Sequence, residues 1–312
     1  MNQNEPLVSV IIPNYNHAKY LPERIDSILN QTYRNFEIII LDDCSSDNSK
    51  DVIEGYSNNP HVSQVVFNNI NSGSVFKQWR KGFDLSKGEL IWIAESDDKC
   101  KPTLLEELVD EFVRDSKISL AFSRTMYFTD EREINLAYGA IKSDRTERLQ
   151  GEHFIKKYML DGCYVANASS ALFKKDIAMS IDDIYMTYQN AGDRMFWIEI
   201  AERGNVAIVH KALNYCRRHG NNLTDRYWVT GNIQKEEHRI FNYLKAHGML
   251  SHRQAQIESA YYIFAHILNQ ELSSLTLKKE LLELWEYDLL KRVIVSFYQC
   301  RQLCYKIKQH IS

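Results

Sequence analysis

Three short polar segments, each directly after an apolar run, carry the side chains in this chain best suited to chemistry. They hold carboxylates, amides and hydroxyls that can bind metal ions, phosphates or nucleobases, and they occupy residues 14–17, 42–47 and 95–98. Open α/β sheets bind ligands at the carboxyl ends of their strands, so we expect the three loops to form one crevice. Neither a G-x-G-x-x-G segment nor a Walker A lysine loop is present, which disfavours the nucleotide-binding modes of those motifs.

The elements that position these loops are short apolar runs alternating with segments of helical period. The runs at 8–13, 36–41, 64–67 and 90–94 are continuous and rich in β-branched residues, which is typical of strands buried on both faces. Later strands are predicted at 118–123, 170–173 and 206–209, interleaved with helices at 152–160 and 195–202. The pattern predicts the α/β class, with a mostly parallel twisted sheet flanked by helices.

Composition excludes several classes of protein. The chain has 312 residues, 44% hydrophobic and 25% charged, and a formal net charge of −3, which is ordinary for a globular protein. No global positive field is available for nucleic acid, so we expect no nucleic-acid partner. The six cysteines form no C-x-x-C pair, and neither a signal peptide nor a long apolar span is evident, which predicts a cytoplasmic protein.

The strand pattern ends near residue 226, and the rest of the chain reads as helix. We therefore predict a catalytic domain at 1–225 and a helical C-terminal extension at 226–312. From Lys291 onward five Lys and Arg side chains and no acid accompany apolar residues at helical spacing, up to Ile311. This predicts a basic amphipathic helix, which could dock on the preceding helices or on a second copy in a homo-oligomer, or lie on anionic lipid at the inner face of the membrane.

Five strings, in this order and spacing, carry a resemblance to a known family. They are VSVIIPNYN (8–16), DDCSSD (42–47), NSG (71–73), GELI (88–91) and ESDD (95–98). With a second block at 192–204 and YCRRHG at 215–220, the chain resembles the family 2 glycosyltransferases of the GT-A fold over residues 6–224. The resemblance implies metal-dependent, inverting transfer of a sugar from a nucleotide-sugar donor, with UDP favoured, to a hydroxyl of a glycan or lipid-linked glycan, as in bacterial surface polysaccharide synthesis.

The resemblance also implies a nucleotide site. Its residues are Pro13, Asn14, Tyr15, Asp43, Asn71, Gly73 and Asp97. Asp43 would accept the N3 proton of uracil, because a carboxylate can bind the one donor that the imide presents. Asn71 and Gly73 would open the helix at the floor of the pocket, where the backbone approaches phosphate or sugar.

A diphosphate leaving group requires positive charge, which a hard divalent cation held by carboxylates supplies. By resemblance, Asp98 is the direct ligand of Mn²⁺ or Mg²⁺, and Asp97 reaches the ribose, or the metal through water. Arg217, Arg218 and His219 form a dense cationic segment that would stabilise the diphosphate, and His219 could complete the metal shell.

An inverting transfer also needs a base for the acceptor hydroxyl. Asp193 is the candidate by resemblance, with Gly192 standing where that family usually has Glu, and Asp182 and Asp183 are the alternatives. Asp193 could instead cap the helix that follows it.

Two other functions stay open at this point. A sugar nucleotidyltransferase shares the α/β rim and the Asp pair, but it would carry a Gly-rich basic loop after the first strand. A non-catalytic carbohydrate-binding relative could do without the carboxylates at 97, 98 and 193, all of which are present.

Overall fold

The computed structural model describes residues 5–138, 145–160, 162–218, 230–270, 272–288, 290–296 and 298–299. The chain forms two compact units, one of residues 1–154 and 163–220 and one of residues 155–162 and 221–312. Because a compact unit need not be a functional domain, the limits 1–225 and 226–312 stay a prediction.

The first unit contains a sheet of ten strands. They are β1 (Val8–Asn14), β2 (Phe36–Asp42), β3 (Val62–Phe67), β4 (Leu90–Ile93), β5 (Lys99–Cys100), β6 (Ile118–Phe128), β7 (Glu133–Leu136), β8 (Glu147–Gln150), β9 (Ala171–Lys174) and β10 (Asn205–Arg217).

The strand order is β3-β2-β1-β4-β9-β6-β10-β5, with β7 paired to β6 and β8 to β10. Strands β1 to β4 pair in parallel, as do β6 and β10, whereas β9 runs antiparallel between β4 and β6. The predicted α/β class is confirmed. The carboxyl ends of β1, β2 and β4 therefore meet at one edge of the sheet.

Helices flank the strands or follow the sheet. They are α1 (Leu21–Leu29), α2 (Ser49–Tyr56), α3 (Val75–Leu85), α4 (Leu104–Arg114), α5 (Gly151–Tyr158), α6 (Lys175–Ser180), α7 (Gly192–Glu202), α8 (Asn232–Ala246), α9 (His252–Tyr262) and α10 (Leu275–Leu284). Helix α7 begins at Gly192 and not at residue 195, as the apolar period had indicated, because its first turn is polar.

The core explains why the strands read as unbroken apolar runs. Every residue of β1 and β2 is buried, since the sheet is covered on both faces. An aromatic cluster joins α3 and α7 to β9, with Phe83, Phe173 and Phe196 in mutual ring contact at centroid distances of 5.2 to 5.8 Å. Such packing fixes the start of α7 relative to the sheet.

The second unit is helical in its described part, as predicted. Ser251 and Gln254 form a reciprocal capping box at the start of α9, which satisfies two otherwise unpaired N–H groups. Trp285, after α10, stacks on Tyr262 at 4.2 Å between ring centroids and donates its indole N–H to the carbonyl of Gln234. These contacts join α8, α9 and the end of α10 into one small core.

The predicted basic helix is described only in part. Residues 297 and 300–312, with most of its basic and apolar positions, lie outside the described range. Leu290 and Val293 are exposed, but Lys291 is buried and donates to the carbonyls of Trp285 and Glu286 at 2.8 and 2.7 Å. Lys291 therefore does not contribute to an exposed basic face, because its ammonium binds carbonyls beyond the end of α10.

Gly192 has a packing reason that the sequence did not reveal. A Cβ at this position would lie 2.5 Å from the ring of Phe76 and 2.6 Å from the backbone carbonyl of Tyr185. The carbonyl cannot move aside without shifting its turn, so α7 can start here only with glycine.

We predict that Gly192→Ala lowers the free energy of unfolding by about 1–3 kcal/mol, because overpacking forces neighbouring atoms apart. The matched control is Gly55→Ala in α2, where a Cβ would meet nothing within 4 Å. That change should be neutral or stabilise the protein by up to about 1 kcal/mol, since alanine favours helix. Denaturant unfolding of both variants is the measurement, and equal effects would contradict the packing argument.

Candidate active site

The three polar loops meet at the carboxyl ends of β1, β2 and β4. Asn14 donates its amide to Asp42 at 2.7 Å, and the N–H of Asp43 donates to the Asn14 carbonyl at 2.8 Å. His17 Nδ1 lies 2.8 Å from Ser96 Oγ. The loops expected to form one rim are therefore linked by hydrogen bonds.

Asp43 is buried at the centre of a dense set of donors. Its Oδ1 accepts from the Asn68 amide at 2.6 Å, the Gln78 amide at 2.8 Å and the Ser72 N–H at 2.9 Å. Its Oδ2 accepts from the Ser72 hydroxyl at 2.7 Å. The carboxylate thus holds the 68–72 loop and α3 in place, and a nucleobase donor would have to share these oxygens.

Asn71 and Gly73 lie in the loop before α3, as predicted, although the helix itself begins at Val75. Asn71 donates to the Asp43 carbonyl at 3.0 Å and accepts from the Gly73 N–H at 2.8 Å. Gly73 has a φ of 71°, while a Cβ there would meet nothing within 4 Å. Glycine is therefore favoured here by the left-handed backbone, and not by a close neighbour.

The end of β1 presents one exposed ring and one buried amide. Pro13 is buried, Tyr15 is 49% exposed, and Asn14 Oδ1 is buried with no hydrogen-bond partner in the described part of the chain. Asn16 and Cys44 both have a positive φ, of 57° and 62°. Backbone strain in two facing loops is typical of binding sites.

Three carboxylates lie together after β4. Trp79 donates its indole N–H to Glu95 at 3.1 Å. Asp98 is buried, and its two oxygens accept from the Ser169 hydroxyl at 2.7 Å and the Arg217 N–H at 3.0 Å. The Asp98 side chain is therefore fixed by two donors from β-strand termini that are distant in sequence.

The pKa values of Glu95 and Asp98 are both raised. Burial, with the charges of Asp97 and Asp98, raises the pKa of Glu95 to about 8. Burial and the charge of Asp97 also raise the pKa of the Asp98 carboxyl well above its usual range, against the opposing charge of Arg24. Carboxylates held this close favour protons or a cation between them, so the oxygen donors of Asp97 and Asp98 fit a hard divalent ion.

Within the described residues, no group of three His, Cys, Asp or Glu side chains is arranged to hold a metal ion. An ion held by the Asp pair would therefore need further ligands, from His219 or from a bound diphosphate. His219 lies outside the described residues.

Arg217, one of the predicted diphosphate residues, has its guanidinium paired within the protein. Its guanidinium is buried, donates from Nε to the Asp97 carbonyl at 2.8 Å and forms ion pairs with Glu23 and Asp130. It also lies 4.7 Å from the centroid of the Tyr20 ring. All three guanidinium nitrogens thus already bind acceptors in the protein, and Nε anchors the backbone of the 97–98 loop.

Arg218 is the exposed member of the pair, and its guanidinium lies over the ring of Tyr127 at 4.5 Å. Its backbone N–H donates to the carbonyl of Phe128 at 2.8 Å, which extends the pairing of β10 with β6 by one residue. Of the predicted cationic residues that the structure describes, Arg218 is the one that can reach a ligand at this edge.

Asp193 is the second residue of α7 and does not cap it, since the N-cap is Ala191. Its Oδ1 accepts from the N–H of Arg194 at 2.7 Å, and it is partly exposed. Its negative charge contributes to the raised pKa of Cys163 and of Tyr138.

The alternative carboxylates have other partners. Asp183 forms an ion pair with Arg80 at 2.8 Å. Asp182 lies close enough to Glu199 for its charge to raise the pKa of that buried side chain. Asp182 is also the N-cap, and Asp183 the first residue, of a short 3₁₀-helix at Asp183–Thr187, so both carboxylates stay alternatives to Asp193.

Two residues of the site were missed in the sequence. Ser169 links Glu95 and Asp98, since its hydroxyl accepts from the Glu95 N–H at 3.0 Å and donates to Asp98. Arg24 is fully buried on α1 with its guanidinium 4.8 Å from the Trp92 ring. A serine before a strand and an arginine on an apolar helical face are weak signals, although a basic residue at a core position could have been flagged.

Parallel strands β1, β2 and β4 ending in polar loops, beside a β9 that runs antiparallel, define the fold of GT-A glycosyltransferases. The chain belongs to glycosyl transferase family 2, whose sequence model matches residues 9–181. No helix among the described residues is long and apolar enough to cross a membrane.

Similarity to individual proteins agrees with this family. The chain is 36% identical over 127 residues to TuaG of Bacillus subtilis, named as a teichuronic acid biosynthesis glycosyltransferase, which covers 41% of this chain and 49% of that protein. The chain thus spans about half the length of this relative. The structure of residues 1–349 of Staphylococcus aureus TarS with UDP-GlcNAc matches with a TM-score of 0.66 at 16% identity, covering 89% of this chain and 79% of that fragment.

A third match is the mannosyltransferase PcManGT of Pyrobaculum calidifontis, in a complex with GDP-Man and Mn²⁺. Its TM-score is 0.58 at 14% identity, covering 96% of this chain and 81% of that one. At such identities the two structures establish the fold.

The raised pKa of the buried Glu199 side chain can be tested through the stability of the protein. It is 2% exposed, its Oε2 lacks a hydrogen-bond partner among the described residues, and burial raises its pKa to about 7. The folded state therefore binds this proton more tightly than the unfolded state, so the ionised group costs stability as the pH rises from about 4.5 to about 7.

We predict that Glu199→Gln raises the thermal midpoint relative to the parent at pH 8 and that the difference shrinks towards pH 5. Glu54→Gln, an exposed position on α2, is the control and should change little at either pH. Melting curves at the two pH values are the measurement, and a difference independent of pH would contradict the raised pKa.

Proposed function

We propose that the protein transfers a sugar, with inversion and with a divalent metal ion, from a nucleotide-sugar donor to a hydroxyl of a glycan or lipid-linked glycan. The observation that carries this proposal is the buried Asp98, held by Ser169 and Arg217 at the end of β4 beside Asp97. Membership of the family supports the reaction class. The named role of TuaG supports bacterial surface polysaccharide as the product.

UDP is the proposed nucleotide of the donor. The complexes of TarS with UDP and UDP-GlcNAc support it, although PcManGT was solved with GDP-Man. Pro13, Asn14, Tyr15 and the Asn71–Gly73 loop would surround the nucleotide. Asp43 would accept from the base only by sharing an oxygen with its present donors, so its larger effect is on the shape of the pocket.

Asp98, with Asp97 and His219, would hold Mn²⁺ or Mg²⁺. Such an ion, when bound, offsets the charge that develops on the leaving diphosphate. Ser169 and the Arg217 N–H orient Asp98, and the Arg217 guanidinium holds the Asp97 backbone. Arg218 adds the exposed positive charge for the diphosphate.

Asp193 would accept the proton of the acceptor hydroxyl. The acceptor oxygen then forms a bond to the anomeric carbon from the face opposite the diphosphate. The bond from that carbon to the diphosphate oxygen breaks, and the leaving oxygen keeps the electron pair. A single displacement of this kind inverts the anomeric configuration.

Metal dependence follows from Asp98. We predict that Asp98→Asn reduces transfer by roughly 10²-fold or more, because it removes a charge that positions the counter-ion of the leaving group. The amide can still accept from Arg217, so the fold should persist. Asp110→Asn, on the exposed face of α4, is the control.

The measurement is thermal stabilisation by UDP-, GDP- and dTDP-sugars with and without Mn²⁺, followed by transfer assays. Undiminished transfer in EDTA would contradict a role for the metal ion. Stabilisation by GDP-sugars alone would identify GDP, and not UDP, as the nucleotide of the donor.

The base has a separate test. We predict that Asp193→Asn keeps UDP affinity but lowers the transfer rate by about 10² to 10⁴, because the amide cannot accept a proton. Calorimetry of UDP binding beside initial rates separates the two effects. A rate close to that of the parent would move the role to Asp182 or Asp183, and retention of anomeric configuration by NMR would exclude single displacement.

A further inference from the structure

The edge of the sheet beyond β4 has a surface that the donor site does not use. The nucleotide loops follow β1 and β2 on one side of β4, whereas β9, β6 and β10 lie on the other side. Strand β7, paired with β6, leads to Tyr138. An acceptor must approach from a side that the nucleotide leaves open, so this half of the edge is where it would bind.

Tyr138 is held in an unusual conformation at this edge. It is 54% exposed, and its φ of 57° is in the left-handed region, which large side chains rarely adopt. The residue before it is anchored, because the Ala137 N–H donates to the Thr125 carbonyl at 2.9 Å. Strain at an exposed aromatic residue is a sign that the position of its ring matters.

The Tyr138 ring belongs to a fixed aromatic surface. It packs against Tyr164 at 4.7 Å between centroids and 33° between planes, and its hydroxyl donates to the Cys163 carbonyl. Tyr164 in turn contacts the edge of Phe122 at 6.2 Å. The tilted pair of Tyr138 and Tyr164 thus has a defined orientation, and about half of Tyr138 is exposed among the described residues.

Hydrogen bonds connect this part of the edge to the acidic loop. Thr125, whose carbonyl accepts the Ala137 N–H, also accepts from the Asn214 amide at 3.2 Å, and Asn214 donates to Asn167 at 3.1 Å, two residues before the Ser169 that binds Asp98. Burial raises the pKa values of the Tyr138 phenol and the Cys163 thiol, and the charge of Asp193 contributes to both shifts.

We infer that Tyr138 and Tyr164 form a platform on which a pyranose ring of the acceptor stacks, so that one of its hydroxyls points to Asp193. The apolar C–H face of a sugar ring suits a flat aromatic surface, and its hydroxyls suit a nearby carboxylate. The inference rests on the proposed function, since it needs Asp193 as the base. It adds the class of acceptor group and the residues that select it.

The experiment is saturation-transfer NMR with methyl β-D-glucopyranoside, methyl β-D-galactopyranoside and methyl N-acetyl-β-D-glucosaminide, in the presence of UDP and Mg²⁺. We expect the parent to transfer saturation to the ring protons of at least one glycoside. Tyr138→Asn, which tolerates the left-handed backbone, and Tyr164→Leu, which keeps apolar bulk, should weaken that binding about 3- to 10-fold. Tyr138→Phe should retain most of it.

Ile134→Ala is the control, because Ile134 is an exposed apolar side chain on the same hairpin. Calorimetry should give the same UDP affinity for all variants. Undiminished glycoside binding by Tyr138→Asn, no saturation transfer from the parent, or a parallel loss of UDP affinity would each overturn the platform. Failure of the parent to bind any nucleotide would instead count against the proposed function.

Discussion

Burial of negative charge at the end of β4 is the constraint that organises this edge of the sheet. Glu95, Asp97 and Asp98 follow a strand that has no exposed residue, so their charges cannot all be screened by water. Three hydrogen-bond donors contact these carboxylates, an indole, a hydroxyl and a backbone N–H, and the guanidinium of Arg24 adds a nearby positive charge. One nearby guanidinium beside three carboxylates leaves the cluster, among the described residues, short of positive charge.

The antiparallel strand β9 is what makes this arrangement possible. By pairing with β4 it brings Ser169, just before its first residue, beside the acidic loop. On its other side β9 pairs with β6, and β6 pairs with β10, so the end of β10 carries Arg217 to the same loop. A fully parallel sheet would have required a crossover connection at this point, and the serine would enter from another direction.

A structural feature could be predicted from the sequence where it depends on residues close together in the chain. The strands and the three polar loops follow from short apolar runs and from the residues that end them. The roles proposed for residues in those loops come from the family resemblance and stay predictions. The positions of Ser169, Arg24 and the Arg217 guanidinium depend on contacts between segments that are distant in sequence. No local sequence pattern encodes such contacts.

The start of α7 shows the same limit from the opposite direction. The first turn of α7 is polar, so the apolar pattern does not indicate its first three residues. In the sequence alone, Gly192 is a departure from the family motif. The structure relates it to Phe76, a residue more than a hundred positions earlier. The glycine and the ring are one packing unit, so the motif at this point has to be judged together with α3.

The hydrogen bonds of Asp43 also have a thermodynamic consequence. Donors from Asn68, Ser72 and Gln78 already fix the rotamer of this carboxylate. A ligand that contacts Asp43 therefore binds a side chain with little conformational freedom left to lose. The entropic cost of ordering this side chain is part of the free energy of folding and not of binding. Differences in affinity between ligands at Asp43 would then be mainly enthalpic. They would depend on whether a ligand donor matches the hydrogen-bond directions that the fixed carboxylate still offers.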